Sequence, residues 1–226
     1  MKDENITRQL NKLKVFFFKY YPIRIKNVGL EEKVARQIVW DFKDGNHYEA
    51  VAQMTAKRLV EHFGEQVRSI VFSCVPASTS EKHEHRYKDF SSRVCELSGA
   101  VNGYEHVRVT NDRPEVHKNR KKKDVQIQEN VIYDEDFFKG KRILVFDDII
   151  TRGHSYANFA NRLEMFGAEV LGGFFLGATL WWLIVTSIIS IFHKSFKPRH
   201  MVIINRVAGV VIMVLGIATL LSVILS

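Results

Sequence analysis

RILVFDDIITRGHS, spanning Arg142 to Ser155, joins an apolar run to two adjacent acids and a short polar loop. It opens with an apolar run, Ile143 to Phe146, of the kind found in strands buried on both faces of a parallel sheet. Two acids, Asp147 and Asp148, then stand side by side. Burying an unpaired carboxylate costs on the order of several kcal/mol, so a core strand that ends in two of them is expected to hold them for a ligand. After Ile149 and Ile150, the residues Thr151, Arg152, Gly153, His154 and Ser155 make a short loop that feeds a helix beginning near Ser155. The first turn of a helix offers unpaired N–H groups and a partial positive charge, which suits a phosphate. Gly153 permits the tight turn and a close backbone approach, and Thr151 and Ser155 add hydroxyl donors. Carboxylates repel phosphate, so the acids must serve another part of the ligand, such as vicinal hydroxyls or a hydrated Mg²⁺. A phosphorylated sugar is the ligand these residues suit.

The flanking sequence supplies the rest of an α/β chain. SIVFSCV (Ser69 to Val75) reads as a second buried strand closed by Pro76, EVLGGFFLG (Glu169 to Gly177) as a third, and HVRVT (His106 to Thr110) as a short alternating one. Helices are predicted around Gln37–Phe42, over His47–Phe63, over the DFSSRVCELS stretch from Asp89 to Ser98, and from Ser155 to Phe166. In the last of these, Tyr156, Phe159, Ala160, Leu163 and Phe166 keep helical spacing before Gly167. Continuous apolar strands alternating with helices mean a parallel sheet covered by helices. There is no internal repeat. Three divisions are expected: a helical N-terminal hood over 1–65, an α/β core over 66–177 and a hydrophobic tail over 178–226.

The totals bound what such a chain can be. Its 226 residues, 46% of them hydrophobic, are enough for one good core. The formal charge of +8 is uneven: residues 178–226 hold four strong bases (Lys194, Lys197, Arg199, Arg206) and no acid, which leaves +4 for the rest. That mild balance does not argue for a nucleic-acid binder, which is not the expected partner. Cys74 and Cys95 lie in or beside apolar stretches with no metal-ligand spacing, and read as buried free thiols of a reducing compartment. Near the N-terminus, mixed charges and a short VFFF run (Val15 to Phe18) predict no signal peptide. The aromatics of the first 65 residues (Phe16 to Phe18, Tyr20, Tyr21, Trp40) are expected in the core rather than as a base-stacking platform. His47, His62, His83 and His85 show no ligand spacing and are expected to be solvated.

The Ile143–Ser155 segment resembles the PRPP-binding motif of type I phosphoribosyltransferases: apolar strand, two acids, two aliphatic residues, then a hydroxyl-rich loop with glycine. The resemblance implies that Asp147 and Asp148 hold the ribose hydroxyls and act as the catalytic acids. It further implies that Thr151, Arg152, Gly153, His154 and Ser155 hold the 5-phosphate. Arg152 departs from the family's usual Thr or Ser, losing a hydroxyl but keeping the backbone donor and adding a cation. Upstream, FSCVPASTSEKHEHRYKDF has the place of the family's pyrophosphate loop, with Ser78, Thr79, Ser80, Lys82 and Arg86 as its donors. WDFKDG before a helix, then VPAS and RY, is similar to the ComF branch, although the branch's second proline and Gly-Phe-Asn run are missing. The implied reaction displaces pyrophosphate from C1 of PRPP by a nitrogen nucleophile, a nucleobase or an amine, with Mg²⁺ accompanying PRPP and no residue assigned as a direct metal ligand. A homodimer is compatible with this.

Between Arg113 and Lys123 the chain holds six strong bases and one acid. A mobile lid is the favoured reading, with Lys118, Arg120 and Lys121 among its candidate pyrophosphate contacts; a solvated linker or a nucleic-acid patch are the alternatives. The tail resembles the last two membrane segments of LysE/RhtB amino-acid exporters, through Trp181-Trp182, FHKSFKPRH and INRVAGVVIMVLG. Its uncharged stretch from Val207 to Leu225 approaches the ~20 residues of a membrane span. With PRPP cytosolic, the expectation is attachment to lipid through 178–226, by a tail anchor or a hairpin, on the cytoplasmic face of a bacterial-type inner membrane. Two further readings stand beside the enzyme: a non-catalytic PRPP- or nucleotide-sensing module, and a truncated exporter fragment.

Overall fold

A computed structural model describes residues 2–23, 25–110 and 130–179. They belong to one compact unit covering residues 1–180. Its centre is a five-stranded sheet in the order β1-β7-β6-β2-β3, built from β1 (Leu13–Lys19), β2 (Ile70–Cys74), β3 (Val101–Asn102), β6 (Arg142–Ile150) and β7 (Glu169–Ala178). Every pairing in it is parallel. The expected α/β architecture with a central parallel sheet is therefore present. The short strand at 107–109 lies outside it: β4 (Val107–Val109) pairs antiparallel with β5 (Val131–Tyr133) in a separate two-stranded ribbon.

Helices cover both faces. On one side lie α2 (Leu30–Lys43), α3 (Tyr48–Phe63) and α4 (Ser80–Ser98). Their buried stripes meet Phe72, Leu144, Phe146, Phe174 and Leu176 from the sheet. Aromatic rings dominate that core: Phe90 lies 4.6 Å from Phe146 and 4.8 Å from Phe42, centroid to centroid, in the tilted and edge-on arrangements that ring quadrupoles favour. The other face is covered by the short α5 (Glu135–Phe138) and by α6 (His154–Met165), whose Tyr156, Ala157, Phe159, Ala160 and Leu163 pack on Ile143, Val145 and Phe175. The helical stripe read from the sequence is thus the buried one, except that Phe166 falls at the C-cap.

Three elements differ from the sequence-based expectation. The segment expected as a hood supplies a sheet strand as well as helices, because Leu13–Lys19 pairs with β7 at the sheet edge. The aromatics on that strand divide. Phe17 and Phe18 pack on the core, while Phe16 stays 45% exposed and stacks on Phe175 at 5.6 Å. Helix α4 begins at Ser80, nine residues before the predicted start, since Thr79 caps it by accepting from the Lys82 N–H at 3.3 Å. Finally, β6 does not end at the acids but runs on to Ile150 beside β7.

The N-terminal helix α1 (Lys2–Leu10) is fastened to α6 by charge. Glu164 accepts from Arg8 at 2.8 Å, from Gln9 at 2.7 Å and from Lys12. This brings Leu10 against Gly153, where an added Cβ would meet its Cδ2 at 2.6 Å. Among the described residues no helix is long and apolar enough to cross a membrane. The tail from 180 to 226, on which the membrane expectation falls, lies outside them, as do Lys118, Arg120 and Lys121.

Candidate active site

The sheet order defines a crevice. From β2 the chain moves to β3 on one side, and the later strands β6 and β7 add on the other. Neighbouring strands whose connections depart in opposite directions leave a gap at their carboxyl ends, where ligands of open α/β sheets bind. Here the gap lies between β2 and β6. Their last rung is the Val75 N–H donating to the Phe146 carbonyl at 2.8 Å. Asp147 and Asp148 are the next two residues of β6, just past the point where β2 leaves. Two loops flank them, each running into a helix: Val75–Thr79 before α4, and Thr151–Gly153 before α6.

Both acids are buried, at 8% and 7% exposure, and strand alternation sends them to opposite faces. Asp148 follows Phe146 onto the α2–α4 side. There the Arg86 Nη1 donates to its Oδ2 at 2.6 Å, and the Lys43 Nζ lies 3.7 Å from the same oxygen. Arg86 is held at a second point, its Nε donating to the Lys43 carbonyl at 3.1 Å. The next residue back, His85, bonds the Asp44 carbonyl through Nε2 at 2.8 Å. The C-terminal turn of α2 and the first turns of α4 are thereby tied together over Asp148. Asp147 follows Val145 onto the α6 side. Burial pushes its carboxyl well above the ordinary carboxylate range. The charge of Asp148 adds to that, while the Asp148 N–H, Lys43 and Arg86 oppose it.

On the Asp147 side opens a cavity of about 190 Å³, lined by Asp147, Ile149 and the loop from Ile150 to Tyr156. Thr151, Arg152 and Ser155 are exposed in it, His154 is half-buried and Gly153 is buried. Gly153 takes φ +73° at the N-cap of α6, a left-handed conformation that glycine adopts without strain. No side chain caps this helix start, so its first N–H groups are left for a ligand or solvent. All five residues expected at a phosphate thus come to one loop, next to one of the two acids.

The candidates of the other loop are spread more widely. Ser78 and Lys82 are exposed and Ser80 is half-buried at the start of α4, while the Thr79 hydroxyl serves the cap. Arg86 lies two turns into that helix and reaches Asp148 instead of standing in solvent.

Sequence reasoning missed Lys43, which is distant in the chain and carries no motif signal apart from its place in WDFKDG. It also misplaced His83, expected in solvent. That ring is 4% exposed, accepts the Ala77 N–H at Nδ1 at 3.4 Å and stacks on Tyr104 at 5.2 Å. Burial pushes its pKa down to about 4. Cys74 and Cys95 are buried free thiols, and burial raises both, which makes them poor nucleophiles.

Among the described residues no group of three or more His, Cys, Asp or Glu side chains is placed to hold a metal ion.

No family model matches the chain, and no curated protein does. Among solved structures, an adenine phosphoribosyltransferase from Rhodothermus marinus overlaps 54% of this chain at 18% identity with a TM-score of 0.33. The overlap covers 64% of that protein, so the chain spans less than two thirds of its length.

Proposed function

We propose that this chain is a PRPP-binding phosphoribosyltransferase. One observation carries the reading: at a single sheet crevice, an acid pair lies between two strand-to-helix loops, each ending at a helix N-terminus. A ligand with a phosphate at one end, a diphosphate at the other and hydroxyls between matches that order of groups. The uncapped start of α6, with Thr151 to Ser155, receives the 5-phosphate. Ser78, Thr79, Ser80 and Lys82 at the start of α4 receive the diphosphate, and the ribose hydroxyls come to the acidic end of β6 between the two loops. The protein's share of the chemistry is positioning C1 against a nitrogen nucleophile and stabilising the charge that develops on the leaving diphosphate. Mg²⁺ belongs to this scheme as part of the substrate.

The finer assignments rest on sequence resemblance. They are a ComF-like branch, a lid at 111–129 carrying Lys118, Arg120 and Lys121, a nucleobase or amine as acceptor, and attachment to lipid through 178–226 on a cytoplasmic membrane face. Calorimetry with Mg²⁺-PRPP on the full chain tests the central reading, beside an Asp147→Ala variant. The wild-type protein is expected to bind, and the variant to bind about tenfold more weakly or worse, as befits one lost ligand hydrogen bond. No binding by a folded wild-type chain rejects the function. Pyrophosphate release on adding candidate acceptors then separates an enzyme from a module that only senses PRPP.

A further inference from the structure

We propose that the acid pair divides its work by sheet face: Asp147 is the acid that contacts the sugar phosphate, and Arg86 is a positioning residue that, with Lys43, keeps Asp148 off the ligand. The proposal rests on the PRPP reading and refines it, because the bare motif assigns both acids to the ribose.

Three independent observations support the division. Just before the acids, Val145 packs into the α6-side core and Phe146 into the α2–α4-side core, so β6 reaches Asp147 and Asp148 with its side chains parting to both faces. The cavity that holds the Thr151–Ser155 loop is lined by Asp147, and Asp148 is not among its walls. Asp148 is already engaged by two cations, Arg86 at 2.6 Å and Lys43 at 3.7 Å, in a pair whose side chains are only 14% and 9% exposed on the Arg86 and Asp148 sides. A guanidinium anchored both on Asp148 and on the Lys43 carbonyl is held in place at two points.

Electrostatics give the division a purpose. A phosphate beside two free carboxylates would be repelled by both. The charge of Asp148 is answered by its two cations on the far face. The charges that act on Asp147 from a distance are those of Asp148 on its own strand, Arg86 from α4 and Lys43 from α2, with the buried Tyr87 and Cys74 also within electrostatic range. In that setting its proton is favoured, so it can stand beside a phosphorylated ligand as a hydrogen-bond donor. Freeing Asp148 from Arg86 would put an unanswered charge back at the site.

Ribose 5-phosphate is the probe, titrated into the full chain by calorimetry and followed on the carboxyl carbons of ¹³C-labelled aspartate. Arg86→Gln is expected to weaken binding by about tenfold, the scale of one close charge at a partly buried site. Adding Asp148→Asn to that variant is expected to recover most of the loss, because the unanswered charge is gone. In the wild-type protein the ligand moves the Asp147 carboxyl resonance and leaves that of Asp148 in place, a readout that needs no variant to fold. A double variant that binds worse than Arg86→Gln alone, or a ligand-induced shift at Asp148, overturns the division while leaving the PRPP reading intact. Absence of any binding by the wild-type chain overturns the PRPP reading, and the division with it.

Discussion

Asp147 is a carboxyl placed where the fold penalises its charge. Its pKa is raised mainly by burial, so the folded state binds the proton more tightly than the unfolded chain does. The stability linked to it is complete at low pH and is lost as pH rises above the ordinary carboxylate range. Asp147→Asn removes that loss. The variant is expected to be more stable than wild type at pH 8 by about 1–3 kcal/mol, the usual scale for an uncompensated buried polar group, and chemical denaturation at two pH values checks it. His83 works in the opposite sense. Its pKa is depressed to about 4 by burial, so stability present above the unfolded value near 6.5 is lost as pH falls toward 4. Between pH 7 and pH 4.5 the wild type is expected to lose about 2 kcal/mol more than a His83→Gln variant, read from urea unfolding at the two pH values. A variant that loses as much as wild type would mean that His83 is already charged or exposed.

At the scale of elements, the loop before α6 depends on one backbone conformation and one neighbour. Gly153 sits at φ +73° with Leu10 of α1 against it, and α1 is held there by the Glu164 cluster. Gly153→Ala therefore meets both a disfavoured φ and a contact on an apolar side chain. A stability cost of about 1–3 kcal/mol is expected, with weaker ribose-phosphate binding in the same variant, by thermal melts and calorimetry. Unchanged stability would show that α1 yields easily and does not brace the loop. The sequence pattern identified this loop and its helix because both signals are local: a glycine at a turn, and apolar residues at helical spacing. It misread the start of α4, because EKHEHRYK carries few apolar residues and only the Thr79 cap marks the boundary. It also stopped β6 at the acids, since two charges look like a strand end until β7 is seen to run alongside them.

Across the whole molecule, α2, α4, β2 and β6 meet in one aromatic cluster. Phe90 touches Phe42, Phe72 and Phe146, with centroid distances of 4.8, 5.9 and 4.6 Å. Truncating it removes the contacts of α4 with three other elements at once. Phe90→Ala is expected to cost about 3–5 kcal/mol, read as a lower urea midpoint with the slope unchanged. A cost under 1 kcal/mol would indicate that the cluster repacks and does not hold α4 to the sheet. This cluster also lies on the same face as Arg86 and Asp148, so the core that carries stability also sets the position of the ion pair. The amino-acid sequence alone determined the α/β class, the acid pair, the glycine-containing loop before α6 and the buried thiols, since each is written in neighbouring residues whose periodicity or chemistry is self-contained. Only the tertiary structure decided that Leu13–Lys19 is an edge strand of the main sheet, that Lys43 and Arg86 converge on Asp148, and that the two acids face opposite ways. Those facts depend on sheet order and on contacts between residues 62 and more positions apart in the chain, and no local pattern encodes which distant side chain arrives.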